Sequence, residues 1–373
     1  MPAHRKQRSV LLFADRLPPL VGGMEMHARY FIEHFATDVR FPLGGVVTRD
    51  ALGRDCLAHR DDREPIDLAA LPERFEPAIV FFNSGRWIED LPRLRAAFPE
   101  AAFVYRTGGN EIVKAPLERA PISEHAARQA FWTNVLNSTI DLLITNSAFT
   151  ESRLRALGLR CAFARCVGGV NTVALQSVER PDDPHTTFFC AARFVPYKNH
   201  ALMLDVVRAL ASRALDVRVR LAGDGPLLDD TRARVRRLGL EDRVAFLGVL
   251  DNEAVCHEIA RADIYLQLSA DQLTEVPGGT YLHAEGMGRS ILEAISAGTF
   301  VVAGRSGALP EVVTQTRGLL VDLDDAGAIA DQVERLLRAP RRRPASTDEY
   351  AWARVFGRYE QLWEALDATA RRH

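Results

Sequence analysis

Two glutamates, Glu285 and Glu293, bracket a glycine-rich turn and the start of an apolar helix: Glu285-Gly286-Met287-Gly288-Arg289-Ser290-Ile291-Leu292-Glu293. The amides of such a turn, with the free N–H groups of a helix start, can hold a phosphate and sugar hydroxyls. Glu293 lies about a turn inside a helix that Gly298 can end, where it could accept hydrogen bonds from a ribose diol. Isolated glutamates are ordinarily solvated. Here Ile291, Leu292 and Ile295 mark a largely buried helix, and a buried carboxylate needs a partner. Arg193 and Lys198 stand together after another apolar run, in Ala192-Arg193-Phe194-Val195-Pro196-Tyr197-Lys198-Asn199. Two cations on a loop suit a departing diphosphate; a surface Arg and a helix-start Lys would look the same. Asp224 sits in Leu221-Ala222-Gly223-Asp224-Gly225-Pro226, which reads equally as ligand contact or as a plain turn. Gly22 and Gly23 open a helix that contains His27. Paired glycines let backbone approach a bulky ligand, although most such turns are merely tight.

Apolar runs at 10–14, 43–48, 79–83, 103–106, 142–146, 187–191, 218–222, 244–247, 264–268 and 300–303 read as strands. Amphipathic patterns such as 201–210 and 228–238 lie between them. Alternating helices and near-continuously apolar strands predict α/β layering, with parallel sheets covered on both faces. A polar stretch at 177–185 with Pro181 and Pro184 breaks the alternation. The expected organisation is an N-terminal Rossmann-like domain at 1–176, a second at 186–345 and a terminal helix at 346–373. Two such halves facing each other would place a ligand crevice at the carboxyl ends of their strands. In the last helix Trp352, Phe356, Tyr359, Trp363 and Leu366 form one apolar stripe, expected to pack on its own chain.

The bulk properties fit two soluble domains. The chain has 373 residues, 47% hydrophobic and 26% charged, with a formal net charge of −2. That balance gives no reason to expect nucleic acid or an anionic membrane as partner. No apolar run approaches the roughly 18 residues of a membrane span, and the run at 10–14 is too short for a signal-peptide core. Cys56, Cys161, Cys166, Cys190 and Cys256 form no C-x-x-C pair or Cys/His ligand spacing. We expect reduced thiols and a cytoplasmic protein, either monomer or homodimer.

With these segments in order, the chain resembles the family 4 glycosyltransferases. The best-matching stretch runs from Ala192 to Val321 and includes L-A-G-D-G-P, L-G-L-E-D-R-V-A-F-L-G, the glutamate pair, A-G-T-F-V-V-A and G-A-L-P-E-V-V. The resemblance implies the GT-B fold, two facing Rossmann-like domains with a last helix crossing back to the first. It also implies retaining transfer from a nucleoside-diphosphate sugar, with UDP the first expectation and GDP the second. Gly22 and Gly23 would face the diphosphate, and Arg193 and Lys198 would neutralise it. Glu285 would lie beside the transferred sugar. Gly286, Met287, Gly288, Arg289 and Ser290 would bind sugar and phosphate, and Glu293 the ribose. Such enzymes generally need no metal or other cofactor, and Asp322-Leu323-Asp324 reads as loop and helix cap.

Two departures concern the acceptor. Many members place a His after the strand equivalent to 103–106, where this chain has Thr107-Gly108-Gly109-Asn110. Either Asn110 or the Gly108–Gly109 backbone is expected to take the sugar or acceptor contact there, and His27 is an imidazole near the crevice or on the surface. The second departure is the segment of fifteen residues between Ser269 and Glu285. Asp271 and Glu275 would give this lip negative charge, while Tyr281 and His283 add flat hydrogen-bonding surfaces. We therefore expect a small, polar, amine-bearing acceptor, an aminocyclitol or amino sugar as in aminoglycoside biosynthesis. The same loop could instead pack on the N-terminal domain and select nothing. Competing expectations are surface-polysaccharide assembly on a lipid-linked or saccharide acceptor, a nucleotide-sugar epimerase of the same fold, and a sugar-nucleotide-binding regulator.

Overall fold

A computed structural model describes residues 9–15, 17, 23–50, 52–58, 62–83, 85–108, 112–113, 124–176, 178, 185–276, 279–339 and 346–370. The chain divides into two compact units. One comprises residues 1–167, 275–281 and 352–373; the other comprises 168–274 and 282–351. The change of unit thus falls before the polar stretch at 177–185, because the helix Thr172–Gln176 packs against helices of the second unit.

The first unit is built on an eight-stranded sheet. Its strands are β1 (Val10–Phe13), β2 (Leu43–Arg49), β3 (Asp55–Ala58), β4 (Arg63–Pro65), β5 (Ile79–Phe82), β6 (Ala102–Arg106), β7 (Leu142–Thr145) and β8 (Phe163–Arg165). Their spatial order is β4-β3-β2-β1-β5-β6-β7-β8. The pairs β2·β3 and β3·β4 are antiparallel; the others are parallel. Alternate side chains feed opposite cores, as the period of two requires. Leu11, Phe13, Val80, Phe82, Phe103 and Tyr105 enter one core, and Val10, Leu12, Ile79, Phe81 and Val104 the other. The helix Trp352–Ala370 supplies its aromatic stripe to the second of these cores, against the helix Gly23–Phe35.

The second unit holds β9 (Thr186–Ala191), β10 (Val217–Ala222), β11 (Val244–Gly248), β12 (Ile264–Gln267), β15 (Phe300–Gly304) and β16 (Gly318–Val321); between β12 and β15 in sequence, β13 (Gln272–Val276) and β14 (Gly279–His283) form a separate two-stranded sheet. Its main sheet has the order β11-β10-β9-β12-β15-β16, and each described pairing is parallel. With β13 and β14 set aside, that is the Rossmann order 3-2-1-4-5-6. The order reverses between β9 and β12, so the carboxyl ends of these two strands flank the position where such sheets take ligands.

All ten strands expected from sequence are present, each with one end shifted by one residue. Five of the other six strands are short or polar, and an apolar-run criterion misses them. Within the fifteen-residue insertion, β13 and β14 pair as a two-stranded sheet. Residues 275–281 belong to the first unit, where the Arg153 guanidinium lies 5.4 Å from the ring centre of buried Tyr281. All five cysteines are free thiols, and burial pushes the Cys190 thiol up to about 12. No described helix is long and apolar enough to cross a membrane.

Candidate active site

The site gathers at the carboxyl ends of β9 and β12. After β9 the chain turns through Arg193 into a short 3-10 turn, Pro196–Lys198, and then into the helix His200–Ser212. Lys198 reaches back so that its Nζ lies 2.5 Å from Glu285 Oε1. Both side chains are nearly buried, 13% and 9% exposed. Burial opposes the charge on each, but each charge supports the other. Lys198 is held above its usual range, and Glu285 below the usual carboxylate value. Hydrogen bonds from Lys198 and Ser269 add to the lowering at Glu285. Ser269 Oγ donates to Oε1 at 2.7 Å and Gln267 Nε2 at 2.9 Å. Among the described residues no hydrogen bond engages Oε2 of Glu285, which leaves that oxygen for another donor.

The backbone of Glu285 is fixed equally closely. Its carbonyl accepts from Ala308 N at 2.8 Å, and its N–H donates to Ser306 Oγ at 3.3 Å. Gly307 has φ of +49°, and a Cβ there would sit 2.2 Å from the Glu285 carbonyl oxygen. No side chain fits without moving Glu285. Gly307→Ala should therefore destabilise the protein by more than about 1 kcal/mol and reduce turnover; denaturant unfolding and a rate measurement check both.

Gly288 precedes the helix Arg289–Ser296, with φ of +72° and the Leu309 side chain against its Cα. Glu293 is 3% exposed on that helix. Its Oε1 accepts from Asn252 Nδ2 at 3.0 Å and Arg289 Nε at 3.2 Å. Gly286, Met287, Arg289 and Ser290 are half-buried along the same turn. Arg193 is exposed and makes no ion pair among the described residues. Asp224 is also exposed; its carboxylate caps its own turn at Gly225 N, and its carbonyl accepts from Phe194 N at 2.9 Å. That bond ties the Asp224 turn to the Arg193 loop.

Three sequence expectations change. His27 is 1% exposed and surrounded by Phe31, Phe81, Trp352, Phe356 and Tyr359, with Nε2 3.0 Å from Tyr359 Oη. Burial, then the nearby Arg106 charge, holds it neutral, well below the usual imidazole range. It is a core residue of the first unit, neither on the surface nor available to an acceptor. Asp271 is not a free lip charge either: its Oδ1 accepts from Ser306 Oγ at 2.7 Å and Gly307 N at 3.0 Å. It ties the start of the insertion to the loop that supports Glu285. Glu275 remains exposed on β13. The described residues of the insertion form two paired strands where a loop was expected, and His283 at its end stacks on Tyr197 at 3.8 Å. Gly23 is the exposed first residue of its helix; Gly22 and Asn110 lie outside the described residues.

The sequence reading missed Gln267, Ser269, Asn252 and Ser306. The available signal was two polar residues, Gln267 and Ser269, in a run otherwise suited to a fully buried strand. A separate cavity of about 740 Å³ borders β2, β3 and the first helix, but none of these site residues lines it. Its rim arginines, Arg29 and Arg74, are paired with Glu33 and Glu64.

The glycosyl transferases group 1 family model matches residues 174–353. A GDP-mannose-dependent alpha-(1-6)-phosphatidylinositol monomannoside mannosyltransferase of Mycolicibacterium smegmatis is 33% identical over 365 residues, covering 90% of this chain and 91% of that one. The chain belongs to the group 1 glycosyl transferases. N-acetyl-alpha-D-glucosaminyl L-malate synthase of Bacillus anthracis is 30% identical over 43% of this chain, which spans 41% of that protein. The sucrose-phosphate synthase structure from Thermosynechococcus elongatus superposes with a TM-score of 0.70 at 19% identity, covering 97% of this chain and all of that one. The fold is GT-B, with two Rossmann-like domains. This glycosyltransferase therefore uses a nucleotide sugar, and the buried Lys198–Glu285 pair lies where that fold class takes ligands. None of these relatives is named for an aminocyclitol acceptor or an aminoglycoside product.

Proposed function

We propose that this glycosyltransferase moves mannose from GDP-mannose, with retention at the anomeric carbon, to a hydroxyl of an inositol-bearing lipid. The carrying observation is the 33% identity to the mannosyltransferase over nine-tenths of both chains. It extends well beyond the matched stretch 174–353 and into the N-terminal half. Donor GDP replaces UDP as the first expectation, and a lipid-linked acceptor replaces the small amine-bearing one.

In this reading Arg193 and Lys198 meet the charge that develops on the departing diphosphate, the point at which electrostatic stabilisation lowers the barrier most. The acceptor hydroxyl attacks on the face the nucleotide leaves from, and a departing phosphate oxygen takes its proton. Glu285 orients the sugar and forms no covalent bond. Gly286, Met287, Gly288, Arg289 and Ser290 hold the phosphate and sugar, and Glu293 holds the ribose diol. With two cations assigned to the departing charge, the reading gives no step to a metal.

A thermal-shift panel of GDP, UDP and ADP tests the donor. A nucleotide at a hundred times its Kd stabilises the native state by about 2.7 kcal/mol, and GDP should give the largest rise. A larger rise with UDP overturns the donor assignment. Transfer assays should favour phosphatidylinositol vesicles over free inositol and over an aminocyclitol. Preference for the aminocyclitol overturns the acceptor assignment and returns the amine-bearing reading, with Glu275 as its exposed carboxylate.

A further inference from the structure

β12 is buried at all four positions, and its last residue is a glutamine with no exposed surface. A buried primary amide carries two donors and two acceptor lone pairs, all of which need partners. Gln267 has four. Its Nε2 donates to Glu285 Oε1 at 2.9 Å and to Ser269 Oγ at 3.0 Å. Its Oε1 accepts from Ser290 Oγ at 3.2 Å and lies 3.2 Å from the hydroxyl of Tyr265. The reverse orientation of the amide would aim its oxygen at the Glu285 carboxylate, so these neighbours select one orientation.

This amide joins two parts of the site that are separate in sequence. One is the carboxylate of Glu285; the other is Ser290, in the first turn of the helix Arg289–Ser296. Ser269 closes a smaller circuit, accepting from Gln267 and donating to Glu285. The remaining donor on Glu285 Oε1 is Lys198. Three donors thus converge on one oxygen and set the rotation of the carboxylate. Two of them, Gln267 and Ser269, come from the end of β12.

We propose that Gln267 is a positioning residue for sugar transfer, holding Glu285 in rotation and in register with Ser290 in the first turn of the helix Arg289–Ser296. It touches neither donor nor acceptor. The inference rests on the assignment of Glu285 to the transferred sugar.

The test compares Gln267→Met, which keeps the length and loses the amide, with Gln267→Glu, which sets a second carboxyl against Glu285. Both should lower kcat by about ten- to a hundredfold, an order set by the loss of one preorganising contact. The KM for the sugar nucleotide should move less than about threefold, and the GDP-induced rise in Tm should stay as in the wild type. A hydrogen bond donated to a carboxylate favours its ionised form, so its loss in Gln267→Met should move the acid limb of kcat to higher pH. Tyr265→Phe keeps the ring and removes only the hydroxyl facing Gln267 Oε1. It should lower kcat by about two- to fivefold in the same direction, and it decides the question if the Gln267 variants do not fold. Wild-type kcat and pH profile in a folded Gln267→Met, or in Tyr265→Phe when that variant decides, overturns the proposal. So does a rise in KM at constant kcat. Glu285→Gln separates the two levels: full activity there rejects the sugar-side assignment of Glu285, whereas loss there with an unaffected Gln267→Met rejects only the role of Gln267.

Discussion

Lys198→Ala is expected to lower kcat by about 10²–10³-fold, the usual consequence of removing one preorganised charge from a developing anion. It should also destabilise the unliganded protein by about 3–5 kcal/mol, because Glu285 would remain buried without its cation. The two effects have different pH signatures. The Glu285 carboxyl is held below its ordinary value of 4.5 in the folded protein, so its contribution to stability is present above that value and fades as pH falls through the folded value. Lys198 is raised from 10.5; its contribution is complete below that value and fades as pH rises through the folded one. At neutral pH the pair contributes fully. The stability difference between wild type and Lys198→Ala should therefore be largest near neutrality and shrink on acidification, from the raised value of the unpaired Glu285 carboxyl in the variant down to its lowered value in the wild type. Denaturant unfolding across that range reads it. A difference that does not change with pH would show that the pair is not electrostatically coupled, and a variant with wild-type kcat would show that it is not catalytic.

Trp363→Ala should cost about 3–5 kcal/mol. The indole has no exposed surface, and its ring centre lies 4.9 Å from that of Phe35, 5.3 Å from Phe41 and 5.8 Å from Phe81. These rings come from the first helix, the turn before β2, and β5, so the last helix completes one face of the first unit. A shift of the first unit's unfolding transition is the expected readout, with Trp363→Phe far milder. Loss of less than about 1 kcal/mol in Trp363→Ala would mean that the helix is dispensable to that core. The nucleotide-induced rise in Tm should survive, since Lys198, Glu285 and Glu293 belong to the other unit.

Much of the scaffold was legible because buried parallel strands need continuous apolar runs. The ten strands follow from that requirement, and the aromatic stripe of the last helix from the helical period. The short strands β3, β4 and β8 carry little apolar signal, and the pair β13–β14 is polar on much of its length. The insertion's composition suggested an open, negatively charged lip. Asp271 instead directs its carboxylate to Ser306 and Gly307, because backbone and hydroxyl donors in that loop need an acceptor.

His27 shows the same limit from the other side. Its neighbours in sequence suggested a helix near a glycine turn, but its burial depends on Tyr359 and Phe356, more than three hundred residues further along the chain. Local spacing contains no information about such a contact.

By itself the sequence determined the α/β layering, the glycine turn before Arg289, the two cations after β9 and the glutamates at 285 and 293. These depend on periodicity, local turn chemistry and charge placed a few residues apart. Only the tertiary structure decided that Lys198 and Glu285 form one buried ion pair, that Gln267 and Ser269 direct its carboxylate, and that Asn252 and Arg289 share one oxygen of Glu293. The reason is physical: a buried charge takes whichever partners the sheet order brings within hydrogen-bond reach, and that order, with β9 beside β12, is a property of the assembled fold.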